Sequence, residues 1–164
     1  MNDAPAVRAA SPGDADVLAR LLTEFNAEFG EEAPPQAALA TRLARSLSEG
    51  TMRAWLVRAT PPAGPSEPAG YATLAIRASA YCDGPVGMLE DLYVRAPLRA
   101  RGLGTALMTT MLEEAEAAGL AMIEVGVDEP DTDALRFYER HGFVHRRPET
   151  GDRAFYLSRD LPGA

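Results

Sequence analysis

The sequence predicts a single α/β domain that covers residues 1–164. The chain has 164 residues, of which 46% are hydrophobic and 24% charged, and this composition suits one domain with its own buried core. Segments with helical hydrophobic spacing alternate along the chain with short strand-like segments. No internal repeat and no low-complexity linker divides the sequence, so we expect one domain.

The first third of the chain predicts one strand followed by two helices. Residues 7–10 are a short strand candidate, and residues 11–14 supply a turn and an N-cap. The first helix is predicted from residue 14 to residue 29, because its apolar side chains recur at helical spacing: Val17, Leu18, Leu21, Leu22, Phe25 and Phe29. A second helix is predicted over residues 34–49, begun by two prolines and ended by a glycine.

The rest of the chain predicts a sheet interrupted by two helices. Strands are predicted at 51–59 and 71–77, as a hairpin across a loop rich in proline and glycine at 60–68, and at 88–94. A helix at 101–118, a strand at 122–127, a helix at 133–141 and two final strands at 143–145 and 154–157 follow. The predicted order is therefore β-α-α-β-β-β-α-β-α-β-β.

Composition and charge exclude several classes of protein. The formal net charge of −8 argues against nucleic-acid binding, which needs a basic surface, and favours a cationic partner. Cys82 is the only cysteine, which excludes an internal disulfide and a CxxC site, and with only His141 and His145 to help, no metal is expected. The absence of a long apolar run and of a secretory signal predicts a cytoplasmic protein with no membrane partner.

The segment over residues 99–105 carries the clearest chemical signal. It follows a predicted strand and opens a predicted helix, and its glycines let the backbone turn N–H groups inward at the helix start. Three arginines add positive charge: Arg95, Arg99 and Arg101. Such a helix start favours a phosphate or pyrophosphate, and the alternative is a glycine-rich turn with solvated arginines.

A Rossmann dinucleotide site is a second interpretation of the same segment. Its glycines follow the first strand with GxGxxG spacing, and an acidic residue lies about twenty positions later. Here Leu107 stands where the third glycine is required, and the segment lies in the middle of the chain. Both facts disfavour a dinucleotide site.

Three blocks of sequence together resemble the GNAT N-acetyltransferase superfamily. They are Glu90-Asp91-Leu92-Tyr93-Val94, the Arg99-x-x-Gly102-x-Gly104 turn, and Asp131-x-x-Ala134-x-x-Phe137-Tyr138-Glu139-Arg140-x-Gly142-Phe143. The motif similarity covers residues 88–144, and residues 89–94 also resemble diamine and polyamine acetyltransferases. The resemblance implies a central, mixed, mostly antiparallel sheet that is flanked by helices and splayed where acetyl-CoA binds.

The resemblance also implies that acetyl-CoA is the acyl donor, without a metal, and that an amine attacks its thioester directly. In the family, backbone groups of the central strand hold the acyl and pantetheine arm, and N–H groups of the turn hold the pyrophosphate. The matching strand residues are Leu92, Tyr93 and Val94. The matching turn residues are Arg99, Ala100, Arg101, Gly102, Leu103, Gly104 and Thr105. Unpaired strand amides suit an amide-bearing arm, and one near Val94 could polarise the thioester carbonyl.

Two residues of the third block match cofactor positions of the family. Tyr138 matches a tyrosine near the cofactor sulfur, and a phenol is a suitable acid for a departing thiolate because it is protonated at neutral pH. Its alternative role is packing beside Phe137. Asp131 stands where the family commonly has Asn; ionised Asp only accepts hydrogen bonds, so its cofactor contact differs from the family pattern.

A carboxylate is expected to remove the proton of the attacking amine. An alkyl amine with a pKa of about 10.4 pays roughly 4.6 kcal/mol to lose its proton at pH 7 without help. Glu90 lies just before the cofactor-holding residues, as the proposed base does in polyamine-type members of the family. Strand alternation predicts Glu90 and Asp91 on opposite faces, with Glu90 on the face of Leu92 and Val94. The alternative is a carboxylate that only attracts the amine.

The acceptor site is expected at the first two helices, which usually line it in the family. Their connection holds the acidic residues Glu28, Glu31 and Glu32, which together with Glu90 suit a small cationic amine; a solvated acidic helix end is the alternative. We therefore expect a small-molecule N-acetyltransferase. A non-catalytic acyl-CoA-binding domain and a protein N-terminal acetyltransferase remain alternatives, and a homodimer is a further expectation because dimers are frequent in the family.

Overall fold

The computed structural model describes residues 5–59, 67–153 and 155–159. Within these ranges, the α-helices and strands follow one another in chain order: β1 Ala6–Ala9, α1 Ala15–Phe29, α2 Gln36–Glu49, β2 Met52–Arg58, β3 Gly70–Arg77, β4 Val86–Val94, α3 Leu103–Ala117, β5 Met122–Val125 and α4 Thr132–Arg140. All lie where the sequence predicts them, with ends that differ by a few residues. Most of the predicted loop at 60–68 lies outside the described residues.

The described chain separates into two compact units, Met1–Val125 and Gly126–Ala164. The first unit contains a five-stranded sheet in the order β1-β2-β3-β4-β5. Neighbouring strands from β1 to β4 are antiparallel, and β4 and β5 are parallel. The parallel pair is joined through α3, because a parallel connection must return across the sheet. The predicted mixed, mostly antiparallel sheet is confirmed.

The two faces of this sheet pack against different helices. Ala54, Leu56, Tyr71 and Tyr93 share one buried cluster with side chains of α1 and α2. Trp55 alternates with Ala54 and Leu56 along β2, so it lies on the opposite face, where its Nε1 donates to Glu114 Oε2 of α3 at 2.8 Å. The strand period of two therefore assigns each residue of β2 and β3 to one helix layer.

The sheet is splayed between β4 and β5. The parallel register joins the two strands only from Val86 to Leu89 on β4, opposite Met122 to Val125 on β5. Among the described residues of this unit, the later part of β4, from Glu90 to Val94, pairs only with β3. Backbone groups on its other edge are therefore open to a ligand.

Gly70 allows β3 to approach β4 closely beside this open edge. A Cβ atom at Gly70 would lie 2.2 Å from the Tyr93 carbonyl oxygen, which is backbone and has no room to move away. The position therefore requires glycine.

The second unit contains α4, and the strands predicted at 143–145 and 154–157 are wrong for the described residues, while residue 154 lies outside them. Phe143 N donates to Tyr138 O at the end of α4, and the segment that follows forms one isolated antiparallel bridge, between Arg146 and Arg153. Phe155 and Leu157 are 74% and 90% exposed. Within the part of the chain that the structure describes, no strand pairs with this segment to form the ladder that its pattern predicts.

Candidate active site

Glu90 occupies a bulge in β4. Thr73 of β3 is opposite Asp91 and Leu74 is opposite Leu89, so Glu90 is an extra residue with no partner in the β3 ladder. The carboxyl is exposed, and the pKa of Glu90 is raised above its ordinary value by partial burial and by the charge of Asp91. A bulge at this point re-aims a carboxylate beside the open edge of β4.

The regular alternation expected around Glu90 does not continue through the bulge. Leu92 is opposite Ala72, which is opposite Trp55, so Leu92 lies on the α3 face of the sheet. Asp91 is opposite Thr73 and belongs to the face of α1 and α2. Glu90 therefore cannot be assigned to the face of Leu92 by counting, and its role as the base stays a prediction.

The turn before α3 has the backbone shape of an anion site. Ala100 and Gly102 adopt left-handed conformations, with φ of 59° and 76°, and for Ala100 this costs about 1 kcal/mol. The first bond inside α3 runs from Ala106 N to Gly102 O, and no side chain caps the helix. The N–H groups of the first turn, those of Leu103, Gly104 and Thr105, are therefore open to a phosphate.

Two of the three arginines that bring positive charge to the predicted pyrophosphate turn pair with carboxylates of α1. Arg95 donates to both Glu24 oxygens at 2.7 and 2.8 Å. Arg99 contacts Glu28 at 2.5 Å, and its Nε donates to Val94 O at 2.8 Å. Arg101 is exposed and has no ion pair among the described residues. The predicted cationic turn and the predicted acidic helix end thus partly neutralise each other.

Tyr93 lies beside these pairs on the face of α1 and α2. Its ring lies 5.5 Å from that of Phe25, and the Arg99 guanidinium lies 5.9 Å from its centre. Burial, followed by the charges of Glu28 and Glu24, raises the pKa of Tyr93 above its ordinary value. The residue is therefore a neutral phenol at physiological pH.

A buried polar cluster that the sequence did not reveal lies on the same face. Thr73 Oγ1 donates to Asp91 Oδ2 at 3.2 Å, and burial raises the pKa of Asp91. The Tyr71 side chain is fully buried, and its hydroxyl has no hydrogen-bond partner in the described ranges. The available signal is the alternation of hydroxyl side chains in β3, where Tyr71 and Thr73 flank Ala72.

The other acidic candidates are at the surface. Glu31 and Glu32 follow α1 and are exposed, and within the described residues neither forms an ion pair. Asp131 caps α4, where it accepts a hydrogen bond from Ala134 N at 3.0 Å. Its carboxylate is therefore used at least in part by its own helix, and its contact with a cofactor stays a prediction.

Tyr138 lies in α4 of the second unit. Its ring makes edge contacts with Phe137 and Phe143, with centroids 5.5 and 5.6 Å away. His141 ends the same helix, with Nδ1 2.8 Å from Phe137 O, as expected of a cap residue. His145 was expected in a strand; instead it lies in a bend, 3.2 Å from Glu139 Oε1. The role of Tyr138 as an acid stays a prediction.

A cavity of about 350 Å³ is lined in part by Arg77, Cys82 and Asp83 at the opposite end of β4. No predicted site residue lines it. Across residues 5–59, 67–153 and 155–159, no cluster of three His, Cys, Asp or Glu side chains could hold a metal. In the same part of the chain, no helix is long and apolar enough to cross a membrane.

Comparison with known proteins identifies related sequences and folds. The acetyltransferase (GNAT) family model matches residues 18–143. An aminoalkylphosphonate N-acetyltransferase from Salmonella typhimurium is 34% identical over 58 residues, which cover 35% of this chain and 38% of that protein. The matches span 24% to 38% of the length of three such curated relatives.

Two solved structures share the fold along nearly the whole chain. A candidate acetyltransferase from Arthrobacter sp. FB24 is 35% identical, with a TM-score of 0.86, and the match covers 98% of this chain and 99% of that one. AAC(6')-Iy, in complex with the bisubstrate analog CoA-S-monomethyl-acetylneamine, is 16% identical with a TM-score of 0.72 and coverage of 96% and 99%. The second similarity concerns the fold alone.

Proposed function

The chain belongs to the acetyltransferase (GNAT) family, and we propose that it transfers the acetyl group of acetyl-CoA to a primary amine of a small cationic acceptor. One observation carries the proposal. The open edge of β4 from Glu90 to Val94 leads directly into a turn with unsatisfied N–H groups at the start of α3. An extended arm that contains amides and ends in a pyrophosphate matches both features.

The donor side of the reaction rests on backbone groups. Open amides at Leu92 and Val94 pair with the amides of the pantetheine arm as a strand would, and an N–H aimed at the thioester oxygen stabilises the oxyanion as the amine attacks. The first turn of α3 holds the pyrophosphate through N–H groups and the helix dipole. Arg101 is free of ion pairs among the described residues and adds a positive charge.

Glu90 takes the proton of the attacking amine, directly or through one water molecule. Its raised pKa makes it a stronger base than an ordinary surface carboxylate, and the bulge places it next to the open edge. The amine forms the new C–N bond, the C–S bond breaks, and Tyr138 gives its proton to the departing thiolate. Both roles follow the family positions that these residues match.

The acceptor is a small cation in this proposal. Exposed Glu31 and Glu32 attract it over a distance, although Glu28 is partly neutralised by Arg99. The Salmonella relative is named for an aminoalkylphosphonate, and the AAC(6')-Iy complex holds an acetylneamine analog. Diamines, polyamines, aminoglycosides and amino acids therefore form the first set of acceptors to test.

The proposal is tested by thiol release from acetyl-CoA with the Glu90→Gln and Tyr138→Phe variants. Each is expected to lower kcat by about a hundredfold or more, because each loses one proton transfer, while the Kd for acetyl-CoA stays within about twofold. Glu113→Gln and Tyr81→Phe are matched controls at exposed positions and should retain full activity.

Unchanged turnover in both Glu90→Gln and Tyr138→Phe would contradict the assigned roles. A protein that binds acetyl-CoA but releases no thiol with any amine would instead support the acyl-CoA-binding domain.

A further inference from the structure

We propose that Asp91 binds the cationic group of the acceptor amine and that the buried Tyr71 hydroxyl supports it from below. This deepens the proposed function, on which it rests, by naming a specificity-determining carboxylate next to the predicted base. The sequence pattern alone assigns Asp91 no role in binding the acceptor. Three features of the fold favour Asp91 as the group that binds the amine.

The strand register first places Asp91 on the acceptor face. Asp91 is opposite Thr73, and Tyr93 is opposite Tyr71, so all four side chains lie on the face that packs against α1 and α2. The bulge at Glu90 produces this arrangement, because it shifts the following residues by one position. Asp91 keeps partial solvent exposure, so a small ligand can reach its carboxylate.

The second feature is a missing positive charge. In the part of the chain that the structure describes, Asp91 has one hydrogen bond, from Thr73 at 3.2 Å, and no ion pair. The guanidinium groups of Arg95 and Arg99, which follow β4 in the chain, contact Glu24 and Glu28 instead. A largely buried carboxylate with one weak donor is costly, and an ammonium group supplies both the charge and the donors that it lacks.

The third feature is the orphan hydroxyl of Tyr71. The side chain is 0% exposed, and its oxygen has no partner within the described residues. Buried hydroxyls are nearly always paired, so an unpaired one on the face of Asp91 points to a group that binds there. Burial, followed by the charge of Asp91, raises the pKa of Tyr71, which is consistent with a carboxylate within electrostatic reach. A hydroxyl both donates and accepts, which allows it to support Asp91 or to accept from an ammonium N–H.

A metal ion fits this cluster poorly. Hard cations such as Ca²⁺ and Mg²⁺ need six or more oxygen ligands with several carboxylates, whereas the cluster offers one carboxylate and two hydroxyls. An ammonium group needs only a few acceptors in flexible geometry. The chemistry therefore favours an organic amine.

A purely structural role for Asp91 makes a different prediction. If Asp91 only anchors the bulge through Thr73, Asp91→Asn should change little, because the amide oxygen still accepts the Thr73 bond. If Asp91 binds the amine, the same variant loses the charge and with it the acceptor affinity.

The test compares the wild type, Asp91→Asn and the exposed control Asp83→Asn in steady-state kinetics with 1,4-diaminobutane, spermidine and an aminoglycoside. For an accepted amine, Asp91→Asn should raise KM by about tenfold or more, since a charge-assisted contact is lost, with KM for acetyl-CoA unchanged. Tyr71→Phe should raise the same KM by about threefold to tenfold. An unchanged amine KM in Asp91→Asn would overturn the inference while leaving the proposed function intact.

Calorimetric titration with 1,4-diaminobutane and spermidine in the presence of CoA gives a readout that does not need turnover. The inference is supported if the wild type and Asp83→Asn bind the amine and Asp91→Asn binds it more weakly. If this pattern is found but no acetylated product forms, the proposed function fails and the assignment of Asp91 stands. Equal binding by all three proteins, or no binding by the wild type, overturns the assignment of Asp91.

Discussion

The two faces of the sheet differ in how many polar side chains they bury and in whether those side chains have hydrogen-bond partners. On the α3 face, Leu74, Leu107, Met108 and Met111 are fully buried, and the buried donor of Trp55 has its acceptor in Glu114. On the face of α1 and α2, a threonine, a tyrosine with an unpaired hydroxyl and a carboxyl with a raised pKa lie among the apolar side chains. The first face pairs its buried donor, whereas the second holds a carboxylate with one hydrogen bond, from Thr73, and a Tyr71 hydroxyl with no partner among the described residues.

The contrast between the two faces indicates that the functional groups lie on the face of α1 and α2. A buried polar group without a partner costs free energy, so a fold under selection for stability alone would replace it. Strain at the left-handed Ala100 follows the same logic, because it lies in the turn predicted to hold the pyrophosphate. The strained Ala100 and the predicted pyrophosphate turn therefore lie in one segment of the chain, after the end of β4.

Truncation of the α3 face gives the largest expected effect. Leu107→Ala removes a fully buried side chain and should lower the free energy of unfolding by about 2 to 5 kcal/mol. Urea denaturation at pH 7 measures the loss. Leu157→Ala, at a position that is 90% exposed, is the control and should change stability by less than about 0.5 kcal/mol. An equal loss in both variants would refute the assigned core.

A paired comparison of two aromatic substitutions tests the contrast between the faces. Trp55→Phe removes a satisfied donor and leaves Glu114 unpaired, which should cost about 1 to 3 kcal/mol. Tyr71→Phe removes an unsatisfied hydroxyl and should leave stability unchanged or raise it by less than about 1 kcal/mol. Thermal and urea unfolding distinguish the two outcomes, and a similar loss in both would show that the Tyr71 hydroxyl has a partner.

The pH dependence of stability gives a smaller effect at Asp91. Since burial raises its pKa in the folded protein, the wild type loses stability as pH rises from the unfolded pKa through the folded one. Asp91→Asn does not titrate there, so its free energy of unfolding relative to that of the wild type should be higher at pH 8 than at pH 4. Denaturation at the two pH values measures the difference. If the difference in free energy of unfolding between Asp91→Asn and the wild type is the same at both pH values, burial does not raise the pKa of Asp91.

Sequence patterns predicted much of the fold for a clear physical reason. Helical spacing in α1 and the glycine-rich start of α3 are local signals, and both lie where they were predicted. The prediction of the final strands was wrong because Phe155 and Leu157 have a strand-like pattern but pair with no strand among the described residues. Pairing partners are a long-range property that composition does not encode.

The candidate site was predicted in part. The motifs pointed to Glu90 and the turn, and Glu90 lies beside the open edge of β4 with the turn following that strand. Alternation placed Asp91 on the face opposite Leu92, as the register does, but a bulge adds no visible signal to the sequence, so the face of Glu90 could not be predicted by counting. The ion pair between Glu24 and Arg95 joins residues 71 positions apart, which explains why the arginines were first interpreted as free charges. Tyr71 was missed because an unpaired hydroxyl exists only in the packed structure.

The most direct test of the central claim is amine-dependent release of CoA thiol from acetyl-CoA by the wild-type protein, with mass spectrometry of the product. If the protein is an amine acetyltransferase, thiol release needs a primary amine and equals the acetylated amine formed in amount. Binding of acetyl-CoA with no thiol release above the buffer rate, across diamines, polyamines, aminoglycosides and amino acids, would contradict it.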